Sequence, residues 1–188
     1  MLSKTRIALY ATWIILPQAP ALLATTIDDS TTEYSEFAAL SDAEIAGVVN
    51  VVNAQIIESG HQAQRSASNP KLSDYATNVI KESQRFNQEF SGLLNKFNIE
   101  GSESMASAEW RLAGMRDRTS LAFRSGTDFD RHFLHQQLKF LSNFIETLDN
   151  NLIPAAGNPE IKAYLQAMRG DVAKEIEAGK ALQAEIGE

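Results

Sequence analysis

The chain has 188 residues, 44% of them hydrophobic and 22% charged, which suits a single domain with a packed core. Its 17 Lys and Arg against 24 Asp and Glu give a formal charge of −7, which argues against a nucleic-acid binder with a basic stripe. The lack of cysteine excludes disulfides, thiolate metal sites and cysteine nucleophiles.

Residues 1–24 have the three-part pattern of a secretory signal peptide. Lys4 and Arg6 precede an apolar run at 7–16, and a small-residue exit follows it. An uncleaved membrane anchor is the alternative, but spanning needs about 20 apolar residues and Pro17 interrupts the run. We therefore expect an exported protein, periplasmic or extracellular, with an N-terminal membrane anchor as the alternative.

Residues 25–40 carry four acidic groups and no basic ones, which predicts a flexible acidic leader. Residues 41–188 are expected to form a single helical domain. No later stretch approaches membrane-spanning length, so the mature chain is predicted to lack a stable transmembrane segment.

A capping box at Ser41 and Glu44 predicts the start of a first helix. Apolar residues then recur at three- and four-residue steps, which places them on one stripe. This stripe consists of Ile45, Val48, Val49, Val52, Ile56 and Ala63. The helix should end near Ala67.

Asn69-Pro70 supplies an N-cap and a first-turn proline for a second helix. Its apolar face runs from Leu72 to Phe97, and Gly101 is predicted to close it. A shorter helix is predicted at about 103–124.

This shorter helix carries a local positive patch formed by Arg111, Arg116, Arg118 and Arg124. Such a patch could bind an anionic partner, in which case binding would be sensitive to salt. The interpretation that we favour is a solvated face on which the arginines pair with neighbouring acids.

Gly126-Thr127-Asp128 predicts the start of a third long helix, and Pro154 and Gly157 are predicted to break it. Asn158-Pro159 then caps a last helix. No segment shows sustained two-residue alternation, so strands are not predicted.

Residues 69–75 and 158–164 agree in their cap and apolar positions, 89 residues apart. This similarity between two segments favours two related helical hairpins that pack against each other. The predicted fold is therefore all-α: a ferritin-like four-helix bundle with a short extra helix in the crossover connection.

Four segments, in order, resemble the exported bacterial proteins grouped as domain of unknown function 4142. They are Ile57-Glu58-Ser59-Gly60, Ser68-Asn69-Pro70, Phe129-Asp130-Arg131 and the segment 158–164. The resemblance covers about residues 40–184. It implies a ferritin-like fold and an envelope protein, and it implies no settled biochemical activity.

Typical members of that family carry three histidines whose positions fall here on Ser83, Leu141 and Glu175. Helical periodicity places all three positions on inward faces of their helices. A di-iron site in a bundle needs about four carboxylates and two histidines. One hydroxyl, one hydrocarbon and one carboxylate cannot supply that set.

Glu175 is the most informative of the three, because a buried carboxylate costs several kcal/mol unless it is hydrogen-bonded, paired or protonated. Ser83, Lys174 or an arginine from a neighbouring helix could relieve it. Two interpretations stay open: Glu175 is buried with a raised pKa, or it lies at the solvent-exposed end of the bundle.

The three histidines of the chain are predicted to lie on the surface. Glu58 and His61 have the Glu-x-x-His spacing of a ligand pair, but periodicity places them on a polar helix face. His132 and His135 lie opposite the apolar face of the third long helix. Adventitious transition-metal binding to this last pair would not be surprising.

The chain lacks a phosphate loop, a nucleophile elbow and a His-Glu-x-x-His motif. We therefore predict no catalytic, cofactor-binding or metal-ligating residue and no cofactor, and we favour a non-enzyme while leaving a reaction open. The predicted role is an interaction or structural one, with an unknown protein or envelope partner and no nucleic acid. The alternative is a ferritin-like metal-binding protein with a non-standard ligand set that includes Glu175.

Overall fold

The computed structural model describes residues 40–187, in which every regular element is helical. The predicted signal peptide, and the predicted leader apart from Leu40, lie outside the described residues. The elements are α1 (Asp42–Ser66), α2 (Pro70–Lys96), α3 (Met105–Leu121), α4 (Gly126–Thr147), a π-helical turn (Leu148–Leu152), α5 (Ile153–Ala155) and α6 (Pro159–Gly187). The predicted all-α class is confirmed.

Four long helices form a closed ring of neighbours around the core. Helix α1 packs against α2 and α4. Helix α6 also packs against α2 and α4, opposite α1. Helix α3 belongs to the long connection between the two hairpins and lies against α1, with a smaller contact to α4. The core holds the apolar stripes of the long helices, with Phe90, Phe129, Phe133 and Phe144 among its largest fully buried side chains.

The predicted starts of α1 and α2 are confirmed by their caps. At α1, the Glu44 amide donates to Ser41 Oγ at 3.3 Å and the Ser41 amide donates to Glu44 Oε2 at 2.9 Å. At α2, the Lys71 amide donates to the Asn69 side-chain oxygen at 2.9 Å. Each cap satisfies amides that the first helical turn leaves without an intrahelical acceptor.

The predicted end of α2 at Gly101 is wrong. The helix ends at Lys96, and Asn98 takes the left-handed conformation with φ of 52°. The Ile99 amide donates to the Leu94 carbonyl at 3.0 Å, as in a Schellman motif. Asparagine tolerates this backbone conformation, so glycine is not required there.

The chain after α2 crosses α1 at very short range. The Ser102 amide donates to the Ala43 carbonyl at 2.9 Å. A Cβ placed on Gly47 would lie 1.9 Å from the Ser102 carbonyl oxygen, so only glycine fits at that position. Gly101 also lies in this crossing, where its Cβ would meet the Asn50 side chain at 3.2 Å.

The predicted break at Pro154 is also wrong. Helix α4 continues through the π-helical turn into α5, and Pro154 lies in the first turn of α5. Leu148 and Leu152 of the π-helical turn are fully buried. The chain leaves the helix at Ala156, just before Gly157.

Asp130, in the second turn of α4, holds the start of α2 in place through hydrogen bonds. Its carboxylate is fully buried and accepts from the Ser68 amide at 3.0 Å, the Ser68 hydroxyl at 2.5 Å and the Asn69 amide at 2.9 Å. These three donors satisfy a buried carboxylate that would otherwise be costly.

Asp42, in the first turn of α1, fastens the start of α6 in the same way. Its carboxylate accepts from the Gly157 amide at 2.9 Å and the Asn158 amide at 3.0 Å. An acid of each hairpin's first helix thus holds the Asn-Pro start of the other hairpin's second helix. The reciprocity supports the two related hairpins that the similarity of these two segments predicts.

None of the helices among residues 40–187 combines the length and the hydropathy needed to cross a membrane.

Candidate functional site

The three positions that the family resemblance singled out, Ser83, Leu141 and Glu175, lie in the bundle interior. Ser83 on α2 is 1% exposed and Leu141 on α4 is 0% exposed. Glu175 on α6 is largely buried, and its Oε1 atom is shielded from solvent. The predicted inward orientation is therefore correct for all three.

Glu175 is the unusual ionisable group of this interior. Its Oε1 atom has no hydrogen-bond partner, so neither Ser83, Lys174 nor Arg85 donates to it. Burial raises the pKa of Glu175 to about 8, with a further rise from Glu82 and Asp171 that Arg85 opposes. The structure thus favours the buried alternative over the solvent-exposed one, and the carboxyl is mainly protonated at pH 7.

Tyr75 of α2 closes this region on one side. Its hydroxyl donates to the Glu175 main-chain carbonyl at 3.4 Å. Burial raises the pKa of Tyr75, and the nearby Glu175 carboxyl adds to the rise. Gly179 allows the approach, because a Cβ there would lie 2.9 Å from the Tyr75 hydroxyl oxygen.

Arg85 forms ion pairs with three carboxylates near Glu175, those of Glu82, Glu89 and Asp171. We call these four residues the Arg85 network. Arg85 donates to Glu82 at 2.9 Å, to both Glu89 oxygens at 2.9 and 3.0 Å, and to Asp171 at 3.0 Å. Lys174 donates to the other Asp171 oxygen at 2.7 Å, and this bond and Arg85 hold the pKa of Asp171 low. The network ties α2 to α6.

These residues do not fit the interior metal that the family's histidines would imply. Leu141 offers no donor atom, and the carboxylates nearest to Glu175 are already held by cations. Within residues 40–187, no group of three or more His, Asp or Glu side chains is arranged to hold a metal ion. The carboxylates of the Arg85 network are instead engaged in ion pairs with Arg85 and Lys174.

The Glu-x-x-His pair of α1 lies on the surface. Glu58 forms an ion pair with Arg118 of α3 at 2.6 Å. His61 Nδ1 lies 3.0 Å from the Gln64 side-chain oxygen, on the same exposed helix face. Glu58 thus helps to hold α3 on α1.

The pair on α4 is also directed outward. His132 Nδ1 lies 2.8 Å from the Asp128 carbonyl oxygen and 3.3 Å from an Arg124 side-chain nitrogen. His135 is exposed and lines a groove between α3 and α4. The two histidines therefore have different surroundings despite their three-residue spacing.

The positive patch divides into paired and unpaired members. Three arginines form ion pairs at N–O distances of 2.6, 2.6 and 2.8 Å: Arg111 with Glu103, Arg118 with Glu58 and Arg124 with Asp128. Arg116 is exposed and forms no ion pair with another described residue. The interpretation as an acid-paired face is correct for three of the four.

A buried polar pocket between α1, α3 and α4 was missed by sequence reasoning. Gln55 and Gln137 are 7% and 4% exposed and line a cavity of about 10 Å³, room for roughly one water. Gln137 Nε2 and Gln136 Oε1 have no hydrogen-bond partner. The available signal was Gln137 itself, which lies on the α4 face of Phe133 and Leu141 at four-residue spacing.

Helix α3 reaches this pocket through a glycine. Gln55 Oε1 accepts from Arg118 at 2.6 Å, and a Cβ on Gly114 would lie 2.4 Å from that same oxygen. The side of α3 that carries Gly114 and Arg118 therefore packs closely against α1.

The outer side of α3 and the turn after it carry four large apolar side chains, which we call the α3 face. They are Met105, Leu112, Met115 and Phe123, which are 77%, 56%, 50% and 94% exposed. The sequence predicted a short helix at about 103–124 that spans these residues, but it did not predict that their side chains are exposed. The signal was their spacing, since 105, 112 and 115 share one helix face.

The sequence matches the family described as domain of unknown function (DUF4142) over residues 29–182. This chain belongs to that family. Among solved structures, the fold is similar to CopM in the Cu(II)-bound form, with a TM-score of 0.60 and 18% sequence identity. The alignment covers 78% of this chain and 97% of that chain. No curated protein sequence matches it.

The family assignment confirms the resemblance seen in the sequence motifs. At 18% identity, the likeness to CopM shows a shared fold and carries no ligand residues across. In this DUF4142 chain, the interior positions 83, 141 and 175 are occupied by a serine, a leucine and a glutamate.

Proposed function

We propose that this DUF4142 protein is an exported, non-enzymatic bundle that acts by binding a partner at its surface. The observation that carries this proposal is the chemistry of the interior. Leu141 supplies no ligand atom, the shielded Oε1 atom of Glu175 has no hydrogen-bond partner, and Arg85 engages the neighbouring carboxylates. An interior so arranged supports packing and offers no open site for a substrate or a metal.

Export rests on the pattern of residues 1–24, with its basic start, apolar run and small-residue exit. The processed chain would carry 15 basic and 24 acidic side chains, a formal charge of −9. N-terminal sequencing of the protein from an envelope fraction tests this step. A chain that still begins at Met1 would contradict cleavage.

Metal analysis tests the non-metal role. The purified chain is loaded with equimolar Cu(II), dialysed gently and analysed for metal. We expect far less than one ion per chain, with no change in the Glu175→Gln variant. One tightly held ion per chain that is lost in Glu175→Gln would overturn the proposal.

A matched control separates an interior site from a surface one. The double variant His132→Ala and His135→Ala keeps the interior intact. Copper that disappears only in this variant would indicate adventitious surface binding, and the proposed role would stand.

A second candidate is a metal-binding protein with a non-standard ligand set. Its support is the fold shared with CopM, which is described in a Cu(II)-bound form. In that case Glu175 would have to lose its proton and take further ligands from outside the described contacts. The same metal analysis decides between the two.

A further inference from the structure

The exposed apolar side chains of the bundle are concentrated in one place. All the large hydrophobic side chains found exposed among residues 40–187 belong to the α3 face, and Phe123 at its end is 94% exposed. The long helices instead direct theirs into the core. Exposed apolar groups gathered on one surface mark an interaction site more often than scattered ones do.

The charges of the described chain are divided just as unevenly. Residues 110–139, from α3 into α4, carry six Lys and Arg against three Asp and Glu, a formal charge of +3. The rest of residues 40–187 has nine Lys and Arg against sixteen Asp and Glu, a formal charge of −7. A partner of the α3 face thus meets a basic surface on an otherwise acidic protein.

Several of these cations are not used within the bundle. Arg116, Arg131 and Lys139 form no ion pair with another residue of the described chain, and Arg131 and Lys139 are exposed on α4. Burial raises the pKa of Asp117, while Lys139 and Arg116 lower it, which places both cations beside the same groove between α3 and α4. Their charges remain available to an anionic surface.

We propose that the α3 face docks on an anionic phospholipid bilayer. Phe123, Met115 and Leu112 enter the headgroup boundary, and Arg116, Arg131 and Lys139 bind lipid phosphates. This rests on the proposed function, since it names the partner of a surface-acting bundle. Basic residues beside protruding apolar side chains are the general signature of such interfacial binding.

Two alternatives fit the same surface less well. A second copy related by a two-fold axis would bring one basic segment against another, which is repulsive. An acidic protein partner would have to supply a shaped pocket for each protruding side chain. A fluid bilayer accepts such side chains in any arrangement, and its anionic headgroups complement the +3 segment.

Two acidic residues near the start of α3 set the tilt of docking. Glu103 precedes the helix and Glu109 lies in its second turn, near Met105, whereas Arg116 lies toward its C-terminal end. The other acidic residue of α3, Asp117, is partly buried at the groove beside α4. The bundle therefore approaches the bilayer with Phe123 and Met115 leading and Met105 furthest from the lipid.

Because the chain has no cysteine, a single introduced cysteine can be spin-labelled at a chosen position. A nitroxide label is attached to Met115→Cys, and to Lys174→Cys as a control whose side chain is 80% exposed on α6. Both full-length labelled chains are mixed with vesicles of phosphatidylcholine alone or with about one third phosphatidylglycerol. Electron paramagnetic resonance then measures label mobility and protection from a water-soluble relaxation agent.

The expected result is that the label at 115 becomes less mobile and protected only with anionic vesicles, while the label at 174 stays in water. Vesicle binding with both labels still in water would place the contact elsewhere on the chain and overturn the proposal. So would an absence of binding, or immobilisation at 115 without vesicles, which would indicate self-association.

A charge-reversal pair tests the role of the cations. Arg116→Glu with Lys139→Glu should lower the partition coefficient at least about ten-fold, because each cation near an anionic surface contributes strongly. Lys81→Glu with Lys180→Glu changes the net charge equally on α2 and α6 and should lower it far less. Equal losses in the two double variants would contradict docking through this face.

These outcomes are independent of the metal analysis. A stoichiometric metal ion would overturn the proposed function without moving the label at 115. Failure of the label to enter lipid would leave the non-metal, non-enzymatic assignment intact.

Discussion

The charged side chains between α2 and α6 are paired with one another, whereas several of those on α3 and α4 are not. Between α2 and α6, Arg85 takes up three carboxylates, and Glu175 is buried beneath them. Between α3 and α4, Arg116 and Lys139 pair with no described residue, and apolar side chains project into solvent. The first face is completed by the chain's own residues, whereas the second carries exposed apolar side chains and cations that no other described residue covers or pairs.

The largest effect that separates the two faces should be the pH dependence due to Glu175. The folded chain raises the pKa of this carboxyl from 4.5 to about 8, so folding takes up a proton between those values. The contribution of Glu175 to stability is therefore full below pH 4.5, falls as the pH rises to about 8 and is level above it. The total loss of this contribution is on the order of 5 kcal/mol.

Glu175→Gln removes this titration while keeping the size of the side chain. Urea unfolding of the two chains at pH 5 and pH 9 measures it. We expect similar stabilities at pH 5 and a more stable variant at pH 9. An equal pH dependence in both chains would show that Glu175 is solvated and that the α2–α6 face is not closed.

A second effect tests how α3 is held. Gly114→Ala should destabilise the fold by about 2 kcal/mol, because its Cβ would lie 2.4 Å from Gln55 Oε1 and force the two helices apart. Gly92→Ala on α2 is the matched control, since nothing lies within 4 Å of its Cβ. That change should stabilise by up to about 1 kcal/mol. Thermal unfolding that ranks the two variants the other way would contradict inner-side attachment.

The Arg85 network should show a smaller effect. Arg85→Met leaves Glu82, Glu89 and Asp171 without their shared cation, at a cost of about 1 kcal/mol, since all these groups are partly exposed. Arg169→Met, which breaks one exposed pair with Asp149, should cost less than Arg85→Met does. Unfolding at low and high salt measures both; indistinguishable losses would mean that the network acts as isolated surface pairs.

The smallest effect is expected on the α3 face. Leu112→Ser with Met115→Ser should change stability by no more than about 0.5 kcal/mol, because both side chains are at least half exposed. Vesicle binding should weaken nonetheless. A large loss of stability on calorimetry would show that these side chains belong to the core, and the contrast between the two faces would disappear.

Local signals in the sequence predicted most helix starts. Ser41, Asn69 and Asn158 act as caps where they were expected, because capping needs only a side chain within three residues of the amide that it binds. Helix ends were less predictable. Gly101 fulfils a packing need against α1, and Asn98 takes the left-handed position instead.

Periodicity also predicted which side of each helix holds the candidate site residues. Ser83 and Leu141 are buried as expected. Periodicity could not predict whether Glu175 finds a partner, because that depends on Glu82, Arg85 and Asp171, which come from two helices. The buried Gln55 and Gln137 were missed for the same reason.

The sequence by itself determined the helices, their caps, the two-hairpin plan and the family, because each depends on residues a few positions apart or on motifs in fixed order. Only the tertiary structure decided that Glu175 Oε1 is shielded from solvent without a hydrogen bond, that Arg85 occupies the neighbouring carboxylates and that no described residue covers the α3 face. Whether a side chain is buried or paired depends on the residues that neighbouring helices place around it. The spacing of residues along one helix predicts the direction of a side chain but not the groups that it contacts.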